Sequence, residues 1–333
     1  MCGSVGMFLG CDQIAACPLS TLLSERAGGP TAYDSAFDRW DQRASVRRQP
    51  RRRIAPGGED YFPLELMPVA GHPLVRDLAP ARLARLRLRH LQRYLRFTVE
   101  LETRYVNPVV LAVGSHGFGI ALPPGMRLDA MRIYTDEAYH ALVATDLLIQ
   151  SEAASGIQER RRPPGFMAAF DKLARSAPPE LAGLLPLLFV IVSESLITAT
   201  LSELPRSDGV LAGVSDAVRD HAADEARHHR YFSTLLGLVW HAMSVTQRAA
   251  AGPLVPTLID IFLRPDAGDI ATDLREAGLS GPDAALVIDE ALGAPRVERQ
   301  RRRVAGSALR AFEAAGVLAD PALRAVFEDA GLS

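Results

Sequence analysis

Arg219-Asp220-His221-Ala222-Ala223-Asp224-Glu225-Ala226-Arg227-His228-His229 is the stretch on which the fold turns. Read as a helix, it stacks His221, Glu225 and His228 on one face, because positions i, i+4 and i+7 lie on successive turns. Two imidazoles and a carboxylate aimed the same way make a set of metal ligands. The motif has an echo upstream in Asp136-Glu137-Ala138-Tyr139-His140, so Asp-Glu-Ala-x-His occurs twice, 88 residues apart. A lone glutamate precedes each copy, Glu102 before the first and Glu194 before the second. Two Glu…Glu-x-x-His halves describe a carboxylate-bridged di-iron site inside a four-helix bundle.

The spacing can be checked against that geometry. Leu83, Leu86, Leu91, Tyr94, Leu95, Thr98, Glu102 and Tyr105 recur at helix spacing from about Pro80. Pro108 is expected to kink the end of this helix, and Gly114 to Pro124 to end it. A second helix is expected from about Arg127 to Gln150. Glu102 and Glu137 have their midpoint at Gly119 to Ile120, inside that Gly/Pro turn. Each then sits about 12 residues, or roughly 18 Å, from the fold-back, which opposes the two side chains. A third helix, expected from about Pro179 to Ser202, is apolar nearly all round except for Glu194. The midpoint of Glu194 and Glu225 is 209.5, beside the expected turn at Pro205 to Gly209. Residues 151 to 178 form a long crossover between the hairpins, a ferritin-like feature.

Composition agrees with an all-α chain. Of 333 residues, 48% are apolar and only 6% aromatic, and a formal net charge of −2 gives no pull toward nucleic acid or membrane. The most apolar run, Leu181 to Leu201, is broken by Gly183, Pro186, Ser193 and Glu194, so no membrane span is expected. Cys2, Cys11 and Cys17 crowd one end, which speaks against a thiolate metal site or a disulfide framework. With no basic segment or cleavage site of a signal peptide, a cytoplasmic location is expected. Residues 1–60 read as an irregular arm with a solvated basic run at Arg47-Arg48 and Arg51 to Arg53. The remainder, 61–333, reads as one helical domain: a core bundle over about 80–245, then accessory helices over 246–333, including the basic run Arg299 to Arg303.

In the general di-iron arrangement the Glu-x-x-His glutamates bridge and the lone ones are terminal. That groups Glu102, Glu137 and His140 on one iron and Glu194, Glu225 and His228 on the other. His221, one turn before Glu225, is expected to add a nitrogen to the second iron. Asp136 and Asp224 point away from the cluster and are expected to accept hydrogen bonds from histidine N–H groups. A single Glu-x-x-His is usually a surface pattern, and Glu100 and Glu203 are the alternatives to Glu102 and Glu194. Glu100, however, is rotated off the Tyr94–Thr98–Glu102–Tyr105 face, and Glu203 lies beside the turn. Tyr94, Thr98, Tyr105, Val190, Ile197, Thr198 and Phe232 flank the ligands as core packing or a substrate pocket. A radical-type reductase subunit would want a tyrosine where Ala144 stands, and a ferritin would be about half as long. A desaturase and a helical scaffold without metal remain as rivals.

The seven positions together resemble the AurF/CmlI-type arylamine N-oxygenases, the family of p-aminobenzoate N-oxygenase. That family has Glu, then Asp-Glu-x-x-His about thirty residues on, twice, with a further histidine four before the second glutamate. The match is Glu102…Asp136-Glu137-x-x-His140 and Glu194…Asp224-Glu225-x-x-His228 plus His221, over about residues 80 to 245. The resemblance implies two iron ions, O2 as co-substrate, and oxidation of an amine, most often aromatic, through hydroxylamine and nitroso to nitro. It also implies a role in secondary metabolism, a separate reductase or other external electron donor, and a possible homodimer. The chain carries no nucleotide-binding glycine motif of its own.

Overall fold

The computed structural model describes residues 33–54, 60–202 and 211–332, leaving out the side chains of 198–202, 294, 295 and 300. The expected turn at Pro205 to Gly209, Glu203, the three cysteines and the side chain of Thr198 therefore lie outside the described residues. All regular structure within them is helical, with no strand. Two single-turn helices come first, α1 (Trp40–Arg43) and α2 (Ser45–Arg48). The bundle follows: α3 (Pro80–Leu101), α4 (Asn107–Gly114), α5 (Pro124–Ser155), α6 (Leu185–Ser202) and α7 (Ala212–Ala242). α3 and α4 pack along α5, α6 packs along α7, and α5 meets α7 across the middle. This is the ferritin-like pairing of two hairpins.

Local chemistry sets the ends. Pro80 and Pro124 stand in the first turns of α3 and α5, where a missing N–H costs nothing. Gly156 closes α5 in the left-handed region at φ 70°. At Pro108 the expected kink takes another form. Between α3 and α4 the chain widens into a π turn over Glu102–Val106, and the helix then continues. Proline cannot donate to the carbonyl four residues back, and its ring crowds that carbonyl. One wider turn relieves both problems and keeps the axis running. Glu102 opens this turn.

α6 explains its own composition. Leu187 to Val192 have no exposed surface, as an all-round apolar helix requires. α7 covers one side, and the C-terminal helices Val255–Leu263 and Ala294–Ala314 cover others. The arginines of α3 are tied down. Arg93 and Arg160 both pair with buried Asp273, while Arg89 and Arg160 pair with Glu276, which binds the crossover and the helix Ala267–Glu276 to the bundle.

The described part of the arm, residues 33–54, is packed, not loose as the sequence suggested. Phe37 and Ala44 are fully buried. Arg51 pairs with Asp146 at 2.6 Å and half-buried Arg52 with Asp220 at 2.5 Å, so two members of the basic run clamp the arm, while Arg47, Arg48, Arg51 and Arg53 remain exposed, as a solvated run would be. The missed signal is chemical, since the arm has no periodicity to read. Gly213 on α7 lies against the carbonyl of Arg53, where a Cβ would collide with backbone. Gly213→Ala should therefore lower unfolding stability by about 1–3 kcal/mol. It should also speed tryptic cleavage within Arg47 to Arg53; calorimetry and timed digestion check both.

Candidate metal centre

Glu102, Glu137, Glu194, Glu225, His140, His221 and His228 are all buried, and they converge at one level of the bundle. α5 contributes Glu137 and His140, α6 contributes Glu194, and α7 contributes His221, Glu225 and His228. Oxygen and nitrogen atoms of Glu137, His140, His221 and Glu225 lie within 4.8 Å of one another, and so do those of Glu137, Glu194, Glu225 and His228. Glu137 and Glu225 belong to both sets, as groups lying between two metals would. Glu100, the alternative to Glu102, is taken by Arg96 at 3.5 Å and by Arg104.

The histidines are held in one orientation. Nε2 of His140 is 3.1 Å from Asp224 on the other motif helix, and Nε2 of His228 is 3.3 Å from Asp136. The two Asp-Glu-Ala-x-His motifs thus exchange partners, each aspartate fixing the opposite histidine. With Nε2 engaged, Nδ1 of each ring faces the glutamates: His140 Nδ1 is 2.9 Å from Glu137 and His228 Nδ1 is 2.6 Å from Glu137. An N–H bonded outward to a carboxylate raises the basicity of the inward nitrogen, as metal sites use.

His221 departs from the expectation. Its Nε2 lies 3.0 Å from Glu225 and 4.0 Å from Glu102, and its ring is 4.0 Å from that of His140. It therefore joins the Glu102–His140 side, not the Glu194–His228 side. Helix geometry gives the reason. His221 and His228 are seven residues apart, or about 10.5 Å along α7, with Glu225 between them. They fall on opposite sides of that glutamate and cannot share one metal.

Electrostatics set the metal-free protonation. Burial, then the charge of Glu137, raises the Glu102 carboxyl well above its ordinary value. Burial, then Glu225, does the same to Glu194. Burial would also raise Glu137, but the charges of His228 and His140 outweigh it and hold it low. Burial opposes a charge on His140, yet Glu137 and Asp224 lift it to about 10; burial opposes a charge on His228 too, yet Glu137 and Glu225 raise it well above its ordinary value. Burial and the neighbouring His140 keep His221 neutral. Without metal, these shifts favour the protonated forms of Glu102, Glu194, His140 and His228. Both oxygens of Glu102 are buried without a hydrogen-bond partner, an arrangement that suits a cation. This donor set can hold metal ions.

Sequence reading missed the outer supports. Trp40 donates its indole N–H to Asp136 at 2.9 Å, and the backbone N–H of Ser45 reaches Asp224 at 3.3 Å. Arg227 also donates to Asp224, and Phe37 stacks on His228 at 6.0 Å and 13°. Only the question of what satisfies two buried aspartates points to these residues.

The sequence pattern of the p-aminobenzoate N-oxygenase AurF family matches residues 39–316. The chain belongs to the AurF family. It is accordingly an enzyme of the di-iron monooxygenase type. A curated relative, the 4-aminobenzoate N-oxygenase of Streptomyces thioluteus, is 23% identical over 254 residues, covering 73% of this chain and 75% of its own. The family match begins at residue 39, so it takes in both helices of the arm that braces the AurF-type centre.

Beside His140 and His221 lies a cavity of about 30 Å³. Tyr94 and Thr98 line it with Leu95, Val143, Ala144 and Val218. Of the other flanking residues, Tyr105 packs instead among Phe166, Phe170 and Phe189, and Val190, Ile197 and Phe232 sit in the core. The arginine run is also accounted for in part: Arg301 pairs with Asp260 at 2.5 Å, and Arg302 with Glu298.

Two expectations follow. Metal binding needs the deprotonated ligands, and Glu102, Glu194, His140 and His228 are all shifted toward holding protons, so binding of Fe(II) or Co(II) should release protons and weaken as pH falls. Titration in weak buffer with a pH indicator reads both effects. Asp224→Asn should weaken metal binding about 10–100-fold while the fold persists, as read by calorimetric titration and circular dichroism.

Proposed function

We propose that the chain is an O2-dependent N-oxygenase whose centre holds two iron ions and oxidises an aromatic amine through hydroxylamine and nitroso to nitro. The reading rests on one observation: six buried carboxylate and imidazole side chains meet in two overlapping sets that share Glu137 and Glu225, and buried Glu102 lies 4.0 Å from His221 beside the first set. In this reading Glu102, His140 and His221 serve one iron, Glu194 and His228 serve the other, and Glu137 and Glu225 bridge. The irons would supply reduction of O2 and transfer of oxygen to nitrogen. Asp136 and Asp224 hold the imidazoles in register. The apolar wall of α6, Leu187 to Val192, excludes water from the Glu194 side.

The cavity at Tyr94 and Thr98 marks the substrate side. At about 30 Å³ it has room for about two waters. An aromatic ring therefore enters by displacing side chains there. Tyr94 also borders an outer cleft of about 310 Å³, which gives a route from the surface. Electrons come from a separate reductase, since the chain holds no nucleotide motif. No described helix is long and apolar enough to cross a membrane. In this reading the enzyme is cytoplasmic, serves secondary metabolism, acts on a small-molecule amine and works as a homodimer.

The test is to reduce iron-loaded protein without air, admit O2, and supply a panel of aromatic amines. Mass spectrometry should find hydroxylamine, nitroso or nitro products. Oxidation only at carbon, or no product from any amine, contradicts the N-oxygenase reading. His221→Ala should lose iron from the Glu102–His140 side and lower turnover at least tenfold. Unchanged iron content and activity would remove its role.

A further inference from the structure

The helix Ala294–Ala314 has two unlike faces. Inward it is built of small side chains. Ala305 and Ala308 have no exposed surface, and Val304 and Ala311 are buried beside them. Small residues let two helix axes approach toward the short end of the usual range of about 8–10 Å. The helix lies here against α6 and α7. Ser307 donates its hydroxyl to the backbone carbonyl of Ser195 at 2.7 Å, and Ser195 follows Glu194 in α6. On that side the thickness of this one helix separates α6, and with it Glu194, from the surface.

Outward the helix carries Arg296, Arg299, Arg303 and Arg310, whose steps of three, four and seven keep them on one face. Arg302 stands beside them, and all five are exposed. The stripe runs about 21 Å along the axis. Arg302 has Glu298 at its flank, 3.8 Å away, whereas Arg296, Arg299 and Arg310 form no ion pair among the described residues. Like charges three and four residues apart destabilise a helix, so the chain alone gains nothing from this face. Other arginines are answered by acids, as Arg93 and Arg160 are by Asp273. The whole chain carries −2, so the stripe is a local reversal of sign.

We propose that this arginine face docks an acidic one-electron carrier protein, and that electrons enter the centre from the Glu194 side, across the helix Ala294–Ala314 and α6. The inference rests on the di-iron reading of the centre. Each encounter oxidises the carrier by one electron and reduces one Fe(III) to Fe(II), so two encounters restore the diferrous pair. Opposite charge steers such encounters and orients the partner, and salt screens it. The face suits a protein partner better than a membrane or a nucleic acid. It shows no exposed large apolar side chain of the kind that anchors a helix in lipid, and no exposed aromatic on which a base stacks. No residue of this helix or of α6 lines the cavity at Tyr94 and Thr98, so carrier and substrate do not compete for one entrance.

The test uses the iron-loaded chain, with a 2Fe–2S ferredoxin and a flavodoxin as probes. Surface plasmon resonance should show both bind at low salt and weaken steeply as salt passes about 0.1 M. Arg299→Glu combined with Arg303→Glu should weaken binding about tenfold or more with unchanged circular dichroism, and Arg296→Glu alone should act in the same direction. Arg43→Glu combined with Arg48→Glu, the same charge change on exposed positions of the arm, should leave binding within about twofold. In anaerobic stopped flow, reduced ferredoxin should reduce the ferric centre of the Arg299→Glu, Arg303→Glu variant about tenfold more slowly, while dithionite reduces variant and wild type alike. Neither measurement involves an amine, so a chain that oxidises no amine yet shows both effects keeps this proposal and loses the N-oxygenase reading. A wild type that binds neither carrier, variants of the stripe that bind as wild type does, or a loss that follows the arm variant instead overturns the proposal. So does tighter binding of duplex DNA or anionic lipid vesicles than of either carrier.

Discussion

Four glutamates buried within a few ångströms of one another are the constraint to which the rest of the structure answers. Two like charges at 4 Å repel by roughly 4 kcal/mol even at an effective dielectric of 20. Such a group persists only with positive charge among its members. Without metal, the raised carboxyls of Glu102 and Glu194 and the raised imidazoles of His140 and His228 favour bound protons, which supply it. Bound divalent metals would supply positive charge in their place.

The supporting structure follows from that balance. The imidazoles of His140 and His228 must keep Nδ1 inward to serve either state, and the crossed bonds to Asp224 and Asp136 secure this. Those aspartates are buried in turn and need donors. Trp40 and Ser45 supply them from the arm, with Arg227 from α7. The arm is therefore part of the centre, and its clamps, Arg51 to Asp146 and Arg52 to Asp220, hold donors in place as well as chain.

Much of this was legible in the sequence, because faces and levels are encoded in one dimension. Glu225 and His228 share a helix face by spacing alone. Glu102 opposes Glu137 because the pair is equidistant from a turn, and the same spacing brings Glu194 to the level of Glu225, although the turn between them lies outside the described residues. Where one helix crosses another is not written in either, so the spacing grouped His221 with Glu194 and His228, whereas its ring lies beside His140 and Glu102. The π turn at Glu102 was read as a kink, since Pro108 forbids one hydrogen bond without choosing the remedy. Trp40 and Ser45 escaped notice because single donors in an aperiodic segment leave no pattern. Tyr94 and Thr98 border the cavity, whereas Tyr105 of the same run turns into an aromatic cluster across the π turn.

The most direct test of the account is crystallography of the Fe(II)-soaked protein with anomalous differences collected at the iron edge. Two peaks about 3.5–4 Å apart are expected, as two-metal centres require. One should lie among Glu102, His140 and His221, the other beside Glu194 and His228, with Glu137 and Glu225 touching both. A single peak, or iron bound elsewhere with the seven side chains undisturbed, would contradict it.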